Sequence, residues 1–494
     1  MCSVIGVISN SDPACPDAVR GLVTTQNRGE HSTGLVTADP SRNGFGLRIR
    51  RAQAAKEAYS NLSEILECQD RIAIGHNRYS TAGRDLERDA QPITVAKPEM
   101  VMAHNGQIAN YVELREALET KKSYTFASEC DLEALLYAVA QNLIATKPYD
   151  EKDPERFFRN NLLPALKATL EPGHDFSALG AYSTVAIVAG KGLLAFTDPH
   201  RIRPLSFAKK QKGNKLTYAV ASETIAIPPW RGFTDHEELG PGEVLFIDHN
   251  LNVYRETVYS LGAKHCWFDE VYFSRANSVS RGRTIDYYRQ QLGRALAHNF
   301  SDLKDRVDNI MAVPRTPIQA AMAMSLVWDK PYGGIEAEAS ERIFLGNDAH
   351  DRFNRALAKF SYDLEAIRGN RVGVVDDSVV RGNNSKAVVE VLYSLGAKEV
   401  HFFSTFPPYI GICPGGIDIA NEDELLMTGR TLEQARDFIG ATTLNFLLLE
   451  KALEAMHLDS SQVCLGCTKK EYPFDMTDYL RYQELREVQR EAIK

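Results

Sequence analysis

Cys2 stands directly behind the first methionine. With Met1 removed, that one residue offers a thiol nucleophile and a free α-amino group to act as its base, so no separate His or Asp is required. The amine suits the task because its ordinary pKa of about 7.7–8.0 lies near cellular pH. A retained Met1 would block it. A second chemistry-bearing stretch runs Asp376-Asp377-Ser378, then Arg381-Gly382-Asn383-Asn384-Ser385, behind the apolar run Arg371–Val375. Adjacent carboxylates can hold ribose hydroxyls or a Mg²⁺ ion. A helix opening at such a loop presents free N–H groups to an anion, and Gly382 lets the backbone come close. The plainer reading is a strand-to-helix turn capped by Ser385.

The elements that must hold these groups follow from the pattern. A chain of 494 residues is too long for one ordinary core, so two domains are expected, 1–260 and 261–494. Hydrophobic residues make up 44% and charged residues 25%, as in soluble globular proteins. The net charge is −8 and no basic run tracks along the chain, which argues against a nucleic-acid partner. The start lacks the features of a secretory signal, and apolar stretches such as Ala181–Ala189 and Leu444–Leu449 are too short to span a bilayer. The expected location is the cytoplasm, with no membrane partner. Eight scattered cysteines do not form a compact disulfide framework.

In the first part, strands fit Val4–Ile8, Ile72–His76, Val101–His104, Thr184–Ala189, Gly192–Thr197 and Val244–Ile247. Helices fit Asp17–Arg28, Val112–Glu119 and Leu132–Leu143, and Lys209–Lys215 reads as a hairpin turn. From about 261 the order becomes βαβ. Helix Thr284–Phe300 leads to strand Asn309–Val313 and helix Ile318–Val327. Strand Arg371–Val375, helix Lys386–Leu395 and strand Glu399–Ser404 follow, with a charged helix from Tyr479. That order predicts a parallel sheet and an α/β chain.

Several motifs extend the reading: Arg28-Gly29-Glu30-His31-Ser32-Thr33-Gly34, Gly75-His76-Asn77-Arg78-Tyr79-Ser80-Thr81-Ala82-Gly83, Ala103-His104-Asn105-Gly106 and Ser128-Glu129-Cys130-Asp131-Leu132-Glu133. With Asp198-Pro199-His200-Arg201 and Ala221-Ser222-Glu223-Thr224, they make the chain resemble class II, N-terminal-nucleophile glutamine amidotransferases, in particular the amidophosphoribosyltransferase branch. The resemblance implies an αββα sandwich followed by a phosphoribosyltransferase-like parallel-sheet domain. It also implies that Cys2 attacks glutamine, that Asn105 and Gly106 form the oxyanion hole, that Arg78 grips the α-carboxylate and that Asp131 takes the α-ammonium. Read singly, Asn105-Gly106 is a hairpin turn, Arg78 a surface ion pair and Asp131 a helix cap. Four such residues in this order favour the functional reading.

By the same resemblance, the 376–385 stretch is a phosphoribosyl pyrophosphate loop, supported by Tyr272-Phe273-Ser274-Arg275 and Gly396-Ala397-Lys398-Glu399. The implied product is 5-phosphoribosylamine, the entry to purine synthesis, with Mg²⁺ and a homo-oligomer, dimer or tetramer. Cys266, Cys413, Cys464 and Cys467 match the ligands of a structural [4Fe–4S] cluster in one subgroup. A Cys₄ zinc site and a Cys-x-x-Cys redox pair are the alternatives for the cysteines alone. Cys15, Cys68 and Cys130 have no such match and are expected to be buried or incidental.

Three departures concern the acceptor. Asn383 and Asn384 replace two threonines. Pro314-Arg315-Thr316-Pro317 replaces a Pro-Asp-Ser-Gly turn. A basic clamp becomes Gly333-Gly334-Ile335-Glu336-Ala337-Glu338-Ala339-Ser340-Glu341-Arg342, with three carboxylates against one arginine. Polyanions prefer basic clamps. The departures keep open a different acceptor in specialised metabolism, a second domain that senses a nucleotide without reacting, and a scaffold for a partner enzyme.

Overall fold

The computed structural model describes all residues except 40–43, 62, 80–85, 150, 338–359, 420 and 492–494. Residues 80–83 of the Arg78 motif and 338–342 of the acidic stretch therefore lie outside the described residues.

The first strand, Ser3–Ser9, shows how the N-terminal part is built. Side chains alternate across a strand. Ile5 and Val7 pack with Ala18 and Leu22 of helix Cys15–Thr24. Val4 and Ile8 point the other way and meet Val101 and Val185 of a second sheet. Both faces are buried, so the strand reads as a nearly continuous apolar run. Its sheet has seven antiparallel strands, with Ser3–Ser9 between Lys215–Ala221 and Ile72–Arg78. The facing sheet has six, with Gly180–Val188 between Met100–Ile108 and Gly192–Thr197. Helices Tyr111–Lys122, Asp131–Ala145 and Leu163–Leu170 cover the outer side of the second sheet. The layers are α, β, β, α.

Residues Asn309–Ala312, Arg371–Asp376, Glu399–Ser404 and Thr443–Phe446 form a parallel sheet in that order, with helices between them. The expected βαβ order is present. The loop at 376–382 leaves the C-terminal end of a strand, where ligands of open α/β sheets bind.

Several bounds differ from expectation. The helix foreseen over Asp17–Arg28 stops at Thr24 and passes into a short turn at Gln26–Arg28. The Thr25 hydroxyl bonds back to the Gly21 carbonyl at 3.0 Å and lies 3.0 Å from the Ser3 hydroxyl, which pins the turn to the first strand. The helix expected from Lys386 begins at Asn383. Gly382, with φ of +75°, is its cap, so Ser385 sits inside the helix and does not cap it. Among the described residues, no helix is long and apolar enough to cross a membrane.

Candidate active site

Asn105 and Gly106 are not a hairpin turn. They lie inside strand Met100–Ile108, opposite Ser183 and Tyr182. The strand admits them because position 106 is glycine. Its φ is +147°, and an added Cβ would sit 1.8 Å from the Ala181 carbonyl oxygen. The Asn105 side chain is fully buried, and among the described residues neither its nitrogen nor its oxygen has a hydrogen-bond partner. A buried amide left in this state costs about 1–3 kcal/mol unless something binds it.

Cys2 precedes the edge of pairing at Ser3–Asn77, and its Sγ lies 3.8 Å from the Tyr79 carbonyl oxygen. The Cys2 carbonyl accepts from Arg28 Nε at 2.9 Å. Met1 ahead of it is 1% exposed, and burial brings its amine down to about 5.

Arg78 ends strand Ile72–Arg78, 4% exposed, with Nη2 3.7 Å from the buried Asp89. It is not a surface ion pair. Asp131 opens helix Asp131–Ala145 as its first residue, while Cys130 occupies the cap position. Its Oδ2 accepts from Ile108 N at 2.8 Å, and Oδ1 stands 3.3 Å from His104 Nε2. Burial alone would raise this carboxyl. His104 and the Ile108 bond outweigh burial and keep it below the ordinary range. Arg78 and Asp131 both act on the Cys130 thiol from nearby, and burial pushes that thiol up to about 12. Cys130 is buried, as expected; Cys15 is buried too, and Cys68 is half-buried.

The acceptor end is a cavity of about 750 Å³. Asp376, Asp377, Ser378, Arg381, Gly382, Asn383, Asn384 and Ser385 all line it. So do Met1, Tyr79 and Tyr272, so the cavity extends to the residues next to Cys2 and Arg78, which do not themselves line it. Burial pushes Asp377 up to about 7, and its Oδ1 accepts from Ser378 Oγ at 2.8 Å. Arg381 is turned to other work, donating from Nε to Glu424 at 2.6 Å and from Nη2 to the Asp418 carbonyl at 3.3 Å. Among the described lining residues, three carboxylates (Asp376, Asp377, Asp418) face this one arginine.

Cys266, Cys413, Cys464 and Cys467 come together from distant parts of the chain and line one pocket. Backbone bonds make the junction: Cys464 N donates to the His265 carbonyl at 3.0 Å, and Ile410 N to the Cys467 carbonyl at 2.8 Å. Burial raises Cys464 to about 11 and Cys266 to about 12, the state of thiols without a cation. Arg203 is buried near Cys266 and Cys413, with Nη1 3.8 Å from Asp269 Oδ2. Yet no three His, Cys, Asp or Glu side chains among the described residues are close enough to hold one metal ion. The four sulfurs nonetheless share one pocket.

Sequence reasoning passed over Arg28, Asp269, Glu223 and Asp89. All four are buried charges. Arg28 and Glu223 stood inside quoted motifs, and a buried charge demands a partner, but nothing in sequence spacing says which one.

The glutamine amidotransferase domain model matches residues 62–143, which include Arg78, Asn105, Gly106 and Asp131. An amidophosphoribosyltransferase of Haemophilus influenzae is 31% identical over 471 residues, 94% of this chain and 90% of that one. One from Methanothermobacter thermautotrophicus is 29% identical over 496 residues, 99% of this chain and 98% of that one. Among solved structures, the glutamine phosphoribosylpyrophosphate amidotransferase of B. subtilis, complexed with ADP and GMP, superposes with a TM-score of 0.81 at 27% identity, covering 96% of this chain and 98% of that chain.

Proposed function

Since this chain belongs to the amidophosphoribosyltransferase family, we propose that it cleaves glutamine at Cys2 and delivers the ammonia to 5-phosphoribosyl 1-pyrophosphate at the 376–385 loop. The observation that carries the reading is the single cavity reaching from Met1 and Tyr79 to Asp376–Ser385. Glutaminase and acceptor functions are assigned to 1–260 and 261–494.

With Met1 removed, the Cys2 amine takes the thiol proton and the sulfur attacks the glutamine carboxamide. Asn105 Nδ2 and the Gly106 N–H receive the oxyanion, which explains a buried amide with no partner of its own. Arg78 holds the α-carboxylate and Asp131 the α-ammonium. The Cys2 ammonium returns its proton as ammonia leaves, and water then hydrolyses the thioester to glutamate. Ammonia attacks C1 of the ribose as the C1–O bond to pyrophosphate breaks, and 5-phosphoribosylamine forms. The N–H groups opening helix Asn383–Ser394 take the 5-phosphate.

Asp376 and Asp377 are hard oxygen donors suited to Mg²⁺, which would neutralise the leaving pyrophosphate. Cys266, Cys413, Cys464 and Cys467 would hold a structural [4Fe–4S] cluster that ties the C-terminal segment down, with Arg203 offsetting its charge. The reading includes a homo-oligomer, for which the exposed Met322 and Leu326 of helix Ile318–Trp328 offer an apolar face. A reducing compartment, the cytoplasm, suits cysteines that are all unpaired.

The test incubates anaerobically prepared protein with glutamine, phosphoribosyl pyrophosphate and Mg²⁺, after recording its visible spectrum. Equal release of glutamate and pyrophosphate is expected, from a brown protein that bleaches in air. Glutamate without pyrophosphate would move the acceptor to another compound. Colourless protein carrying zinc would remove the cluster.

A further inference from the structure

We propose that Asp269 is a positioning residue for the Cys2 thiol, acting through Arg28. The inference rests on Cys2 being the glutaminase nucleophile.

Arg28 is 0% exposed and Asp269 1%. Arg28 Nη1 and Nη2 donate to the two carboxylate oxygens of Asp269 at 2.8 and 2.7 Å, and Nη1 also donates to Glu223 at 2.7 Å. A planar guanidinium gripped by a bidentate carboxylate cannot rotate. Its third nitrogen, Nε, is thereby aimed at the Cys2 carbonyl oxygen. That aim matters because Cys2 becomes a chain end. Sheet pairing begins only at Ser3. Once Met1 is gone, the carbonyl is the backbone atom of Cys2 through which the rest of the protein fixes its ψ, and with it the direction of the thiol and the amine. A misplacement of about 1 Å at a reacting atom can cost about 100-fold in rate.

Asp269 does not come from the sandwich that carries Cys2, Asn105 and Arg78. It lies 241 residues beyond Arg28, in the turn Asp269–Phe273. Two more members of that turn, Tyr272 and Phe273, line the acceptor cavity. The same stretch secures the other carboxylate as well, since Arg275 N and Ser278 Oγ donate to Glu223 at 2.9 and 2.6 Å. Ser274 Oγ donates to Asp269 at 3.0 Å. The glutamine-cleaving end is thus completed by a segment that also walls the acceptor end.

A mere staple between the two parts would support both reactions alike, whereas a positioning role falls on one. The experiment uses the full chain with Met1 removed, checked by mass spectrometry. Glutamate release is measured across glutamine concentrations. Pyrophosphate release is measured separately with saturating ammonia in place of glutamine. For Asp269→Asn, kcat for glutamate release is expected to fall about 10- to 100-fold, with KM and the ammonia-driven reaction within about twofold of the parent. A kcat within about threefold of the parent overturns the proposal, as does a change confined to KM or an equal loss of both reactions. If Asp269→Asn does not fold, Ser274→Ala carries the test: kcat for glutamate release about 5- to 10-fold down, with KM and the ammonia-driven reaction within about twofold of the parent, supports the proposal, and a kcat within about twofold overturns it. A parent that makes no glutamate fails the glutaminase reading itself. A parent that makes glutamate but no pyrophosphate moves only the acceptor, and the division between kcat and KM then decides.

Discussion

The two candidate sites, the one proposed for glutamine and the one proposed for the acceptor, are built differently. At the thiol end, Arg78, Asn105 and Gly106 are carried by paired strands, and Asp131 by the first turn of a long helix. At the acceptor end, the residues sit on a loop and the helix it opens, and the one described arginine of the wall is bonded to Glu424. Acyl transfer needs a few donors fixed to a fraction of an ångström about one carbon. Paired strands provide that. A polyphosphate is large and polyanionic, and a loop that can adjust around it serves better. The departures expected from the sequence, Asn383, Asn384 and the acidic stretch from Glu336, all fall at the acceptor end, and none among the strand-borne residues.

The sharpest way to break the contrast is at Cys2. Cys2→Ser, or enforced retention of Met1, should lower glutamine-dependent turnover by at least about 1,000-fold. Cys2→Ser should leave the ammonia-driven reaction intact, and loss of both would mean the two ends are not separable. Asn105→Ala should come next, with a loss of about 100- to 1,000-fold in kcat for glutamate release and little change in KM. Gly106→Ala should instead impair folding, because its methyl group would strike the Ala181 carbonyl. At the other end, Asp377→Asn should reduce pyrophosphate release by about 100-fold while basal glutamate formation continues. A nucleotide-sensing domain predicts weakened nucleotide binding with no change in turnover.

The smallest effect concerns pH. Burial raises Asp198 from 3.8 to about 6, although the N–H groups of Tyr182, His200 and Ile202 oppose the rise. The folded chain therefore holds this proton where the unfolded chain has lost it. Its contribution is fully present below about 4 and is lost as the pH rises through about 6. Melting temperatures of the parent and Asp198→Asn across that window should differ in slope, with the variant flatter. Parallel slopes would show that Asp198 is ionised throughout.

Much of the fold was legible because the strands of the sandwich are apolar on both faces and the βαβ order is written in punctuation such as Gly382 and Gly396. The nucleophile, the four cysteines and the 376–385 stretch were legible as residue types in context. Two local readings were available for Asn105-Gly106; the order of the motifs favoured the functional one, but the backbone that carries it was not legible. Only pairing with Gly180–Val188 shows a strand that uses glycine to pass the Ala181 carbonyl.

The amino-acid order by itself determined which groups exist and what each can do: a thiol next to a chain start, paired carboxylates before a helix, soft sulfur donors. Tertiary structure decided which of them meet. Arg28 and Asp269, Cys266 and Cys464, and Met1 and Asp377 are far apart along the chain. Their meeting depends on how the sandwich docks against the parallel sheet. Docking is set by summed burial over many side chains, and no short motif encodes such a sum.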